Sequence, residues 1–275
     1  MRLHARIGIG FGIPQAGQLF VTPQGTFGNN VDLRTQRNTG VDLGAELTLG
    51  DDLKAEVTGY QEWFRNELVS QSAGVNLQTY TSNVPRSRHR GIEIGLDWRP
   101  LPAALPGARV QASYSYNDQY YTDFRERLTA GPTSVVLDRA GNAIPGVIPT
   151  FVNARVGYDH PAGGLAGLGA FGEVTYRQRY FIDNANLLRV PGITLVNLNL
   201  HYDPLRGDGW WSRLSLFASV QNLFDRTYIG SASIVSDGIA AGSGVPNGEA
   251  VLRSATGSIY AGQPRTVYAG VKSRF

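Results

Sequence analysis

Cysteine is absent from this chain of 275 residues, and methionine occurs once. Without thiols there is no disulfide framework and no thiolate metal site. The absence suits an oxidising compartment in which stray thiols are avoided. No run of eighteen apolar residues occurs, so no transmembrane helix is expected. Strands that cross a membrane remain open, because a barrel alternates lipid-facing and lumen-facing residues and averages to near-neutral hydropathy, as here at −0.18. The net charge of +3 is too small to argue for nucleic acid. The one basic block, Arg86-Ser87-Arg88-His89-Arg90, reads as a solvated loop or strand end. G-x-S-x-G, P-loop and H-E-x-x-H signatures are missing. His4, His89, His160 and His201 stand apart, without metal-ligand spacing. Glu46, Glu56, Glu93 and Asp97 share strand faces with Lys54 and Arg99, which favours cross-strand charge pairs over a general acid and base. The chain is therefore expected not to be an enzyme and to hold no cofactor or metal of its own. Met1 to Ile7 shows neither an apolar core nor a cleavage site, so no secretory signal is expected there.

What is present is alternation. Leu3, Ala5, Ile7, Ile9 and Phe11 alternate with Arg2, His4, Arg6, Gly8 and Gly10, the period-2 signature of a strand with one apolar face. The same pattern recurs around Val41–Leu49, Leu53–Trp63, Ile92–Trp98, Val110–Tyr116, Val152–Tyr158, Leu168–Tyr180, Val196–Tyr202, Leu214–Val220 and Thr266–Arg274. That makes ten strands, the longer of which run nearer nine to thirteen residues, the length a tilted membrane strand needs. Short turns at 50–52, 99–107, 159–167 and 203–211 alternate with longer loops at 12–38, 65–85, 122–146 and 228–262, and a loop at 182–191 leads to the eighth strand. Short turns at one end and long loops at the other are the organisation of an outer-membrane barrel. One face carries Val, Leu, Ile and Ala bracketed by Trp98, Tyr116, Tyr158, Tyr180 and Tyr202, which reads as aromatic girdles. The opposite face is polar at mid-strand. A soluble β-sandwich would use shorter strands.

Two stretches organise the rest. Leu214 to Tyr228 runs a strand into Asn222-Leu223-Phe224-Asp225 and on to Tyr228. Gln263 to Phe275 contains Gly262-Gln263-Pro264-Arg265-Thr266-Val267 and stops on a terminal phenylalanine. Together they resemble the end of a TonB-dependent outer-membrane receptor. Arg6 to Pro14, Thr39 to Gly44 and Gly91-Ile92-Glu93 are similar to further motifs of that family, and Tyr180 to Asn186, together with Asn222 to Tyr228 and Gly262 to Val267, is similar to its ferric-siderophore branch.

The resemblance implies an all-β, antiparallel transmembrane β-barrel, residues 1–275 supplying about the last ten strands of a 22-stranded plugged barrel. The plug domain, the TonB-contacting box and the N-terminal strands of the family are not in this sequence. The implied function is binding and import of a ferric siderophore across the outer membrane of a Gram-negative bacterium, energised through the TonB complex. The siderophore's own oxygens hold the iron. Further implied partners are outer-membrane lipid and the barrel assembly machinery, for which Phe275 would be the signal, with Ser273 where an aromatic is usual. Arg177 and Arg179, leading into an outer loop, are candidates for attracting an anionic chelate, or else for neutralising Glu173; Tyr180, Asn184 and Asn186 are candidates for contacting the chelate. Other readings are a receptor for another scarce solute, such as a cobalamin, a cofactor or an oligosaccharide, or a self-contained ten-stranded barrel acting as a pore or an omptin-like protease.

Overall fold

The alternation becomes one continuous antiparallel sheet. The computed structural model describes residues 1–22, 26–72, 79–130, 132–204, 213–235, 237–240, 242–247 and 259–273. In chain order the strands are β1 (Arg2–Gly12), β2 (Gln36–Leu49), β3 (Leu53–Ser72), β4 (Thr79–Trp98), β5 (Ala108–Asp123), β6 (Arg125–Ala130), β7 (Thr133–Asp138), β8 (Thr150–Asp159), β9 (Leu168–Arg177), β10 (Tyr180–Phe181), β11 (Arg189–Val190), β12 (Ile193–Tyr202), β13 (Leu214–Gln221), β14 (Ile229–Ala232), β15 (Ile259–Ala261) and β16 (Thr266–Ser273). Ten of them form a single sheet in the order β1-β2-β3-β4-β5-β8-β9-β12-β13-β16. β1 and β16 are its two edges and are not paired with one another. The remaining six form three small hairpin sheets, β6–β7, β10–β11 and β14–β15, all within the longer connections.

The two faces differ as the alternation requires. Leu3, Ile7, Ile9 and Phe11 are 70–83% exposed on one face, and Leu43, Ile92, Ile94, Val156, Val174, Leu198, Leu200, Val267 and Val271 are also exposed. In water such a face would be a liability; in lipid it is the solvent-matched surface. The other face carries cross-strand ion pairs: Arg2 with Glu46 at 3.3 Å, Lys54 with Glu46 at 3.9 Å, and Arg155 with Glu173 at 2.8 Å. Asp97 accepts from Arg109 at 2.8 Å rather than pairing with Arg99. His201 lies 2.7 Å from Asp159 and 3.0 Å from Asn199, as a polar wall residue.

Three expectations need correction. Residues 65–85 are not mainly a loop: β3 and β4 stay paired from Arg65↔Arg86 to Ser72↔Thr79. Loss of apolar alternation there marks the departure from hydrocarbon, not the end of backbone pairing. The basic block of residues 86–90 accordingly lies inside β4, with Arg86 and Arg90 exposed and Ser87 and His89 buried on the opposite side. Tyr180 belongs to no girdle; it is 6% exposed and packs with Ile182, Val190 and Val235. Trp98, Tyr116 and Tyr158 do lie on the exposed face. The terminal Phe275 lies outside the described residues.

Candidate functional site

Among the described residues the buried hydrophobic clusters lie in the long connections and against the outer ends of β4 and β5. One gathers Tyr180, Ile182, Val190 and Val235, and a second gathers Val84, Tyr121, Phe124 and Ile144. Between them runs a buried chain of polar side chains. The Tyr121 hydroxyl donates to Asn184 Oδ1 at 2.7 Å, and Asn184 Nδ2 donates to Glu126 Oε1 at 2.8 Å. Glu126 Oε2 accepts from Arg139 Nε at 2.8 Å, and Arg139 Nη2 donates to Asp237 Oδ2 at 2.6 Å. Glu126 and Arg139 are each 6% exposed at the side chain, and Asp237 2%. One guanidinium thus faces two carboxylates in a dry setting, where two anions against one cation are unfavourable. Burial, reinforced by the neighbouring Glu126 carboxylate, pushes the Asp237 carboxyl up to about 9. This favours a proton on Asp237 over a second buried anion and leaves Arg139 balanced by Glu126.

This chain links three connections. Glu126 and Arg139 flank the β6–β7 hairpin, Asn184 sits in the β9–β12 connection, and Asp237 sits in the β13–β16 connection. Backbone ties follow the same route: Val235 N–H donates to Ile182 O at 2.8 Å and Gly146 N–H to Phe181 O at 2.7 Å. The layer is therefore a cap of interlocked loops over the polar face of the sheet.

The residues singled out from sequence meet in this cap. Arg177 donates to the carbonyls of Gly230 and Ile229 at 2.6 and 2.7 Å, and its guanidinium lies 5.3 Å from the centre of the Tyr180 ring. It does not pair with Glu173, whose partners are Arg155 and Asn197. Asn184 is buried within the polar chain. Asn186, at φ +59°, exchanges hydrogen bonds with the backbone of Ala143 at 2.8 and 2.9 Å. Arg179 differs: it is exposed, and no described residue hydrogen-bonds or pairs with its guanidinium. Four of the five candidates are joints between loops, and the fifth is a free cation beside them.

Glu126, Arg139 and Asp237 escaped sequence reasoning. Gly131-Pro132 between two short alternating runs was a usable hairpin signal. Nothing local marks Asp237 as the partner of an arginine 98 residues earlier.

The Asn222-Leu223-Phe224-Asp225 block forms the joint where β13 leaves the sheet. Asn222 and Asp225 both have φ near +50°. Asn222 Oδ1 accepts from Arg226 N–H at 2.9 Å, while its Nδ2 donates to the carbonyls of Arg226 and Gln263 at 2.9 and 3.0 Å. Asp225 Oδ1 accepts from Arg265 N–H at 2.9 Å. The Tyr228 ring lies against Gly262, where a Cβ would collide with it. Leu223 N–H donates to Val196 O, and Pro264 O accepts from the Thr266 hydroxyl. Phe224 is exposed.

The family model described as "TonB dependent receptor-like, beta-barrel" matches residues 1–223. Among solved structures, the chain superposes on the copper transporter OprC with a TM-score of 0.67 at 19% identity, covering 99% of this chain and 37% of that one. For the ferric yersiniabactin uptake receptor FyuA of Yersinia pestis the values are 0.65, 16%, 99% and 35%. For the unliganded ferric citrate transporter FecA they are 0.64, 22%, 98% and 35%. The chain spans about a third of the length of these proteins, and at such identities the likeness speaks for the fold alone. The family consists of outer-membrane β-barrel receptors of Gram-negative bacteria, which bind substrates such as siderophores and work with TonB. A ten-stranded antiparallel sheet with one lipid-matched face, capped at its long-loop end and matched over most of its length, belongs to the TonB-dependent receptor β-barrel family.

Proposed function

We propose that this chain contributes ten strands and part of the outer loop cap to a receptor that imports a ferric siderophore, energised through TonB. The observation that carries the reading is Arg179, an exposed cation in the β9–β12 connection beside loops that Arg177, Asn184 and Asn186 hold in one arrangement. An anionic chelate entering from outside would meet this charge against a preorganised wall, which lowers the ordering cost of binding. The metal would come with its own oxygen donors, so the protein needs to supply charge and shape, not ligands. TonB would act through parts of a receptor other than residues 1–275.

A second reading has one specific motivation, the likeness to a structure named as a copper transporter. Bare copper in its reduced form selects thiolate and thioether donors. With no cysteine and one methionine, residues 1–275 offer few donors to reduced copper, which favours the chelate reading for this part of the receptor.

The test is growth. A strain whose only ferric-chelate receptor carries this chain is grown under iron limitation on single purified ferric siderophores, and uptake of the radiolabelled iron complex is followed. Uptake that requires both the receptor and TonB supports the reading. Uptake of copper but of no ferric chelate would overturn it.

A further inference from the structure

Arg37, Arg65, Arg86, Arg88 and Arg90 form an array on the lipid side of the sheet, not on the lumen side. Side-chain direction follows from register. On β4, Arg86, Arg88 and Arg90 have the parity of Ile92, Ile94, Leu96 and Trp98, the apolar face. On β3, Arg65 has the parity of Trp63 and Val57, and on β2, Arg37 has that of Val41 and Leu43. The cross-strand partners then stack in rungs. The lowest, Leu43, Gly59, Ile92 and Tyr116, is free of charge. Above it come Val41, Gln61, Arg90 and Asp118; then Thr39, Trp63, Arg88 and Tyr120; and at the top Arg37, Arg65, Arg86 and Asp123.

Two features of this array are unexplained by the protein itself. Arg37, Arg65 and Arg86 are direct cross-strand neighbours, about 5 Å apart strand to strand, an arrangement in which like charges destabilise a sheet. All three are exposed, and among the described residues none has a carboxylate within 4.0 Å. Arg88 donates to the Tyr120 hydroxyl at 3.4 Å, but its Nε is buried without a hydrogen-bond partner among the described residues. Only Arg90 is neutralised, by Asp118 at 2.6 Å. Five arginines against Asp118 and Asp123 leave a surplus of positive charge directly above a lipid-facing wall.

We infer that this array binds the phosphates of a phosphorylated glycolipid in the outer leaflet. Guanidinium groups take phosphate oxygens in bidentate fashion, and an anion lodged between Arg37, Arg65 and Arg86 turns their repulsion into shared attraction. Height selects the headgroup. At about 3.3 Å per residue and a tilt of about 45°, the three arginine rungs stand roughly 5, 9 and 14 Å above the Ile92 rung. An ordinary headgroup layer is only about 5–7 Å deep, so the upper arginines overreach a simple phospholipid and suit a taller sugar-phosphate headgroup. Trp63 and Tyr120 share the Arg88 rung and add ring faces to the array.

The test uses the intact receptor that carries this chain, purified in detergent, with bis-phosphorylated lipid A as the probe. Binding is read by native mass spectrometry and by the lipid-induced rise in Tm. The expected result is retention of lipid A that falls at least tenfold in the triple variant R37Q/R65Q/R86Q and is unchanged in R6Q on the lumen face. The triple variant should be no less stable than the parent in lipid-free detergent, because like-charge repulsion is removed; this separates lost binding from lost folding. Equal retention of enzymatically dephosphorylated lipid A, equal preference for phosphatidylglycerol, or unchanged lipid A retention by the triple variant would each overturn the inference.

Discussion

Asp225 accepts the backbone N–H of Arg265 across forty residues of intervening chain, at 2.9 Å. Asn222 spans the same gap by donating to the Gln263 carbonyl. The block read in the sequence as a family mark is therefore a staple. It fixes where β13 leaves the sheet and where β16 re-enters, and so sets the base of the largest connection. Asn is suited to the φ of +50° at position 222, and its amide satisfies three backbone groups at once. Replacing Asn222 by Ala removes those bonds and leaves a residue without a capping amide at a left-handed φ, an expected loss of about 1–2 kcal/mol. Asp225→Asn, which keeps an acceptor, should cost little. The temperature at which the heat-modifiable folded band disappears measures both, and equal midpoints for the Ala variant and the parent would contradict the staple.

Gly262 and Tyr228 make a second, testable joint. No Cβ fits at 262 while the ring is in place, and the Gly262 N–H donates to the Tyr228 carbonyl at 2.8 Å. Gly262→Ala should lower the yield of assembled barrel, and Tyr228→Ala alone should do so less. The double variant should recover most of the loss, because the collision has gone. A double-mutant cycle gives the coupling; simple additivity would disprove direct contact as the cause.

How far the sequence made this architecture legible depends on what surrounds each residue. Membrane strands were readable because lipid and lumen impose opposite chemistry on alternate residues, so Leu3 to Phe11 or Val110 to Tyr116 leave little choice. Above the hydrocarbon that constraint lapses. The upper parts of β3 and β4 therefore passed for loop, and Glu126 with Arg139 went unnoticed. Arg177 shares the parity of Glu173, but its partners, the carbonyls of residues 229 and 230, lie more than fifty residues away and are backbone groups without sequence identity. The basic block is half legible: its composition reads as a solvated end, while the parity that Arg86, Arg88 and Arg90 share with Ile92 fixes the face they occupy.

The cap should loosen as pH rises. In the unfolded chain Asp237 carries the ordinary carboxylate pKa of 3.8, and in the folded cap about 9. Between these values the folded form holds a proton that the unfolded form has released, so stability falls with increasing pH across this window. The contribution is complete below about 4 and lost as pH passes through about 9. Amide exchange of residues 180–190 and 229–235, corrected for intrinsic rate, should quicken from pH 6 to pH 9 in the parent. In Asp237→Asn, which is neutral throughout, that trend should flatten. A parallel rise in both proteins would refute the protonated carboxyl.

Arg177 and Arg179 are adjacent on the same face in sequence terms, yet they should fail differently. Arg177→Gln breaks two charge-assisted bonds to the β14 backbone, each worth about 1.5–3 kcal/mol. Its effect on binding of a ferric chelate would come from a wall that no longer holds its shape: faster dissociation, little change in salt dependence, and faster amide exchange at residues 229–232. Arg179→Gln removes a free surface cation and nothing structural. It should slow association several-fold at low ionic strength and leave the dissociation rate nearly unchanged. The difference from the parent should vanish as the Debye length shortens toward about 3 Å at 1 M salt. Stopped-flow binding at several salt concentrations separates the two. If Arg179→Gln binds an anionic chelate with parental kinetics at every salt concentration, that arginine does not steer the ligand, and the candidate site must be sought elsewhere on the cap.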